Sequence, residues 1–92
     1  MKKKIAILGS TGSIGKTLFN ILKNDKKNFE IVLLTANKNY KELFKQAKIF
    51  NVKSVILTNK DIYSKVKEKK LLHGINIYNN FDIINKIFKK KI

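Results

Sequence analysis

Ninety-two residues carry 21 lysine or arginine side chains against six aspartates and glutamates, a formal charge of +15, with 43% hydrophobic residues and neither cysteine nor proline. So short a chain forms one domain with a thin core and leaves no room for an enclosed catalytic chamber beside it. Without cysteine there are no disulfides, thiolate nucleophiles or cysteine zinc sites, and a lone histidine, His73, excludes multi-histidine metal sites.

In chain order, Lys4 to Leu8 is an apolar run of strand length that ends at Gly9. Met1-Lys2-Lys3-Lys4 imitates the charged start of a signal peptide. The apolar run behind it is too short for a signal core or a bilayer span, so a cytoplasmic protein with no membrane attachment is expected. Gly9 to Gly15 is a glycine-rich turn. Ser13 to Asn24 follows as a helix, with Ile14, Leu18, Ile21 and Leu22 at the spacing of one face. Phe29 to Ala36 is a nearly continuous Ile/Val/Leu strand, as found where both faces of a parallel sheet are covered.

Tyr40 to Phe50 is a second helix, with Tyr40, Leu43, Phe44 and Ala47 on one face. Ser54 to Thr58 is a third strand. Asn59 then caps a helix running to about Lys70, with Ile62, Tyr63 and Val66 inward. His73-Gly74 breaks the chain, Ile75 to Tyr78 is a fourth strand, and Asn80 opens a last helix holding Phe81, Ile84 and Phe88. This alternation (βαβαβαβα) predicts an α/β fold, a Rossmann-like parallel sheet of about four strands flanked by helices on both faces. The order of the strands is not legible.

The lysine excess suggests a polyanion binder. Every basic residue is lysine, however, and they are scattered from Lys2 to Lys91. Readers of nucleic acid lean on the bidentate, stacking guanidinium of arginine, so no specific nucleic-acid site is expected. A basic nucleic-acid module is the lesser alternative.

The chemistry-bearing segment is Gly9-Ser10-Thr11-Gly12-Ser13-Ile14-Gly15, between the first strand and the first helix, where a dinucleotide site requires it. Gly9 allows a sharp exit from the strand, Gly12 lets a diphosphate approach the backbone, and Gly15 allows close helix packing. Amides of Thr11 to Ile14 would face the phosphates at the positive end of the helix. Gly15-Lys16-Thr17 imitates a Walker-type loop, but that motif needs glycine at position 10, which is Ser10. A glycine turn without a ligand is the plain alternative.

A binder of NAD places a carboxylate about 20 residues beyond the glycines, on the ribose 2′-hydroxyl. Here the second strand ends in Thr35-Ala36 and is followed by Asn37-Lys38-Asn39, with no carboxylate before Glu42. A cation at that place favours the 2′-phosphate of NADPH.

The heptapeptide, taken with Thr35-Ala36-Asn37-Lys38-Asn39 at this spacing, resembles the 1-deoxy-D-xylulose 5-phosphate reductoisomerase family. That resemblance extends over essentially the whole chain and implies an N-terminal, partial NADPH-binding domain over residues 1–92. The family is an oxidoreductase of the non-mevalonate route of isoprenoid biosynthesis. It isomerises and reduces 1-deoxy-D-xylulose 5-phosphate to 2-C-methyl-D-erythritol 4-phosphate with NADPH and a divalent metal (Mg or Mn).

By the same resemblance, cofactor contacts fall on Thr11, Gly12, Ser13 and Ile14, and on Asn37, Lys38 and Asn39, and the motif's own mechanics add Gly9 and Gly15 to the expected cofactor site. No catalytic or metal-binding residue is expected within the chain. The resemblance places the carboxylates for metal, the phosphorylated-sugar site and a flexible active-site loop in absent downstream domains and leaves a homodimer open to the full-length enzyme, so this chain alone is expected to be inactive. The family often has glycine where Asn37 stands, and asparagine tolerates the positive φ that glycine would supply. Aspartate-semialdehyde dehydrogenases and extended short-chain reductases, which share the Gly-x-x-Gly-x-x-Gly spacing, remain as other dehydrogenase or reductase alternatives.

Overall fold

A computed structural model describes residues 2–69 and 74–89. Four strands and four helices alternate: β1 (Lys3–Ile7), α1 (Ser13–Lys23), β2 (Phe29–Ala36), α2 (Tyr40–Phe50), β3 (Ser54–Leu57), α3 (Lys60–Lys69), β4 (Asn76–Tyr78) and α4 (Ile83–Lys89). The strands are all parallel and lie in the order β1-β2-β3-β4. The expected α/β parallel sheet is therefore present, and the order that periodicity left open is consecutive. The expected helix end at Lys70, His73 and the side chain of Phe88 lie outside the described residues.

Consecutive order decides where the helices go. With right-handed crossovers that always step to the next strand in one direction, α1, α2 and α3 share one face of the sheet, which corrects the expectation that the crossovers divide the helices between both faces. Their buried side chains form one cluster with that face: Phe19 and Leu22 of α1, Leu43, Phe44 and Ala47 of α2, and Val66 of α3 meet Ile7, Leu34, Val55 and Leu57. Each large side chain fully buried there is worth roughly 1.5–3 kcal/mol. Leu33 and Ile56, pointing the other way in their strands, are buried outside this cluster. On that side Val32, Tyr78 and Ile83 line a cleft of about 640 Å³ under the start of α4.

The end of α2 shows how the chain is turned back into the sheet. Asn51 takes the left-handed conformation (φ 55°) as C-cap, and the Val52 N–H donates to the Ala47 carbonyl at 2.8 Å. Phe50 packs edge-on to Phe19, with ring centroids 5.3 Å apart. The Lys26 ammonium lies over the Phe50 ring and donates to the Ile49 carbonyl. Asn59 caps α3 as expected, its side-chain oxygen accepting from the Ile62 N–H at 3.0 Å.

Two expected core faces are corrected. In α1 the buried residues are Gly15, Phe19 and Leu22, whereas Ile14, Leu18 and Ile21 are 86%, 41% and 62% exposed. The cause is Gly15, whose place against the preceding loop sets the rotation of the helix. Residues four and seven further on then turn inward with it. Phe81 precedes α4 rather than opening it and is 44% exposed.

Candidate functional site

The loop after β1 starts with Gly9 at φ +66°, a left-handed conformation that glycine adopts without steric penalty. Its Leu8 neighbour, expected to end the strand, is turned out to solvent instead. Gly15 is fixed by contact: a Cβ there would sit 2.6 Å from the Ser10 Cα and collide with the Gly9 carbonyl as well. Helix and loop touch backbone to backbone at this point. Gly12 differs, because its φ of −77° suits any residue and a Cβ would meet only the Gly9 carbonyl, at 3.5 Å. The fold itself does not require glycine there.

The loop's inward groups are all bonded. Gly9 N–H donates to Thr35 Oγ1 at 2.8 Å, and Ser10 N–H donates to the Thr35 carbonyl at 2.8 Å. The Ser10 hydroxyl donates to that carbonyl at 3.4 Å, and Gln46 Nε2 donates to the Ser10 carbonyl at 3.0 Å. Among the described residues, the buried polar side chains are these three, Ser10, Thr35 and Gln46. The polar interior of the molecule is thus gathered under one turn.

The outward groups are not bonded. Gly12 caps α1 without a side-chain hydrogen bond, and the first bond entering the helix runs from Lys16 N–H to the Gly12 carbonyl. The Gly12 N–H, expected among the phosphate-facing amides, is instead spent on the Gly9 carbonyl at 3.1 Å. Among the described residues the amides of Thr11, Ser13, Ile14 and Gly15 carry no hydrogen bond outside the helix, and three of them are the donors that a helix N-terminus leaves over. Partial positive charge collects there. Beside it runs an open groove of about 530 Å³ between β1 and the start of α1, edged by Leu8, Ile14 and Leu18. Such a place suits an anion joined to a flat apolar group.

The second expected segment lies next to the first, because Thr35 is two residues before Asn37. Asn37, Lys38 and Asn39 are all exposed. Asn37 Nδ2 donates to Thr58 Oγ1 at 2.8 Å, and its carbonyl accepts from the Asn59 N–H. Positive φ is not needed at this position: among the described non-glycine residues only Asn51 has it. Asn39 caps α2, its Oδ1 accepting from the Glu42 N–H at 3.3 Å. Lys38 is left without an ion pair among the described residues.

Sequence reasoning missed the supports. Thr35 interrupts an aliphatic strand, and Gln46 falls three residues after Leu43, on the buried face of α2. Those two polar residues at core positions were the available signal. Asn79 Nδ2 donates to the carbonyls of Leu57 and Thr58, tying the loop after β4 to the one after β3, and nothing in the sequence announces that. Among the described residues no three of His, Asp and Glu come together to hold a metal ion, and no helix is long and apolar enough to cross a membrane.

Residues 5–90 match the family model described as 1-deoxy-D-xylulose 5-phosphate reductoisomerase. A protein of that description from Pelagibacter ubique is 59% identical over 88 residues, covering 94% of this chain and 22% of the relative. A reductoisomerase structure from Zymomonas mobilis in complex with NADPH superimposes with a TM-score of 0.80 at 25% identity, over 95% of this chain and 23% of that one. A second, in complex with magnesium, gives a TM-score of 0.75 at 25% identity over 92% of this chain and 22% of that one. This chain spans about a fifth of the length of the curated relatives it matches.

Proposed function

The chain belongs to the 1-deoxy-D-xylulose 5-phosphate reductoisomerase family, and on that premise we propose that it is the dinucleotide-binding part of such an enzyme, holding NADPH on the loop after β1. The observation that carries this is the pairing of unbonded outward amides with a Gly12 that the fold does not need. A Cβ at Gly12 would stand where a diphosphate must come close, which explains the glycine. Thr11, Ser13, Ile14 and Gly15 donate to the diphosphate, and Gly9 and Gly15 shape the turn. Ile14 and Leu8 offer apolar surface to the adjoining ring system.

At the second loop Lys38 faces the 2′-phosphate as a point charge, with Asn37 and Asn39 beside it. Asn39 can offer only its Nδ2, since its oxygen caps α2. When bound, NADPH supplies the hydride that reduces the rearranged sugar, and the protein supplies position and electrostatics. The proposed overall reaction takes 1-deoxy-D-xylulose 5-phosphate to 2-C-methyl-D-erythritol 4-phosphate in non-mevalonate isoprenoid biosynthesis. Both soluble reactants suit a cytoplasmic enzyme.

The described residues do not fit a divalent metal, since no three of their acidic or histidine side chains converge. Contacts to metal, to the phosphorylated sugar and between subunits of a homodimer are assigned to the length of the relatives that this chain does not match. Titration of the chain with NADPH and NADH, followed by nicotinamide fluorescence, tests the proposal. Saturable binding with preference for NADPH is expected. Equal, negligible responses to both would contradict it.

A further inference from the structure

We infer that Gln46 is a positioning residue for the loop, fixing the orientation of the Ser10–Thr11 peptide from beneath. It rests on the reading of this loop as a diphosphate cradle, which it deepens. Gln46 lies on α2, is 1% exposed, and sends Nε2 to the Ser10 carbonyl at 3.0 Å across 36 residues of sequence. The donor end must face this way, because its second neighbour, the Glu42 carboxylate at 3.4 Å, is also an acceptor.

The consequence lies in one peptide plane. A trans peptide points its C=O and N–H in opposite directions. With the Ser10 carbonyl drawn inward by Gln46, the Thr11 N–H is turned outward, to the side where a diphosphate would sit. Were this peptide to flip, a carbonyl oxygen would face the phosphates and one donor would be lost. Thr35 fixes the preceding amides of Gly9 and Ser10, but no bond among the described residues other than that of Gln46 holds the Ser10 carbonyl.

A further observation separates this role from simple packing. Gln46 Oε1 is buried and unpartnered, alone in this among the buried side-chain polar atoms of the described residues. A buried acceptor without a partner is unfavourable. Methionine would fill similar space without that penalty, so packing alone gives no reason for glutamine here. The donor does.

The test compares the unliganded chain with its Gln46→Met and Gln46→Glu variants by amide hydrogen exchange and amide resonance positions. In Gln46→Met the Thr11 amide resonance should move well beyond those of the other loop amides, while the Ser10 amide, held by Thr35, and the α2 amides keep their protection. Gln46→Glu, at a pH high enough to ionise its carboxyl, places an acceptor against the Ser10 carbonyl and should shift the Thr11 amide resonance most of all. A Thr11 amide resonance unmoved in both variants would overturn the inference. A measurement independent of any variant's folding is the exchange of the Gln46 side-chain amide protons in the unmodified chain. Slow exchange is expected, and the fast exchange of a surface glutamine would overturn the inference too.

NADPH titration of the same samples keeps the two ideas apart. If the unmodified chain does not bind NADPH, the functional proposal fails while the amide data still decide the role of Gln46. If it binds and Gln46→Met binds equally well, the positioning role fails alone.

Discussion

The loops after β1 and β2 stand side by side and solve different problems. The first is held from below by Thr35 and Gln46 through its main chain, and presents main-chain amides. The second is exposed, spends the side chains of Asn37 and Asn39 on local bonds, and presents one unpaired cation, Lys38. Shape at the first loop can recognise any diphosphate. On the proposed reading, charge at the second tells a 2′-phosphate from a 2′-hydroxyl. Affinity and cofactor choice should therefore respond to different substitutions.

The largest effect is expected at Gly15. Gly15→Val drives a side chain into the Gly9 and Ser10 backbone and should destabilise the chain by about 3 kcal/mol or more, seen as loss of a cooperative melting transition. Gly12→Val should leave helix content and melting temperature nearly intact while weakening NADPH by about 100-fold in a fluorescence titration. Equal loss of stability in the two variants would break the distinction drawn between these glycines.

Smaller effects belong to the second loop. Lys38→Glu should weaken NADPH by about tenfold while leaving NADH nearly unchanged, since only the former brings a 2′-phosphate. Equal losses for both cofactors would show that Lys38 does not read that group. Asn39→Ala should cost about 1 kcal/mol in urea unfolding by removing the α2 cap. Asn39→Ser keeps a capping oxygen without adding charge and should hold its stability, so a change in its NADPH affinity reads the role of Nδ2.

Much of this is legible in the sequence because local pattern and tertiary role coincide. The Ile/Val/Leu run of β2, the face of α2 and the Asn59 cap follow from periodicity and capping chemistry alone. The rotation of α1 does not follow, because Ile14, Leu18 and Ile21 make a plausible apolar stripe. Only the backbone contact at Gly15 shows that the helix turns the other way. The glycine loop is visible as a motif, while its supports are not. Thr35 and Gln46 act across 26 and 36 residues, and a long-range hydrogen bond leaves no periodic trace. Asn37 reads in sequence as a substitute for glycine at positive φ, whereas its side chain ties two loops together through Thr58.

The most direct measurement is a titration of the ¹⁵N-labelled chain with NADPH, followed amide by amide. Saturable shifts concentrated at Thr11, Ser13, Ile14 and Gly15, with Lys38 next, are the predicted result. Shifts spread over the scattered lysines, with those four amides unmoved, would contradict the account.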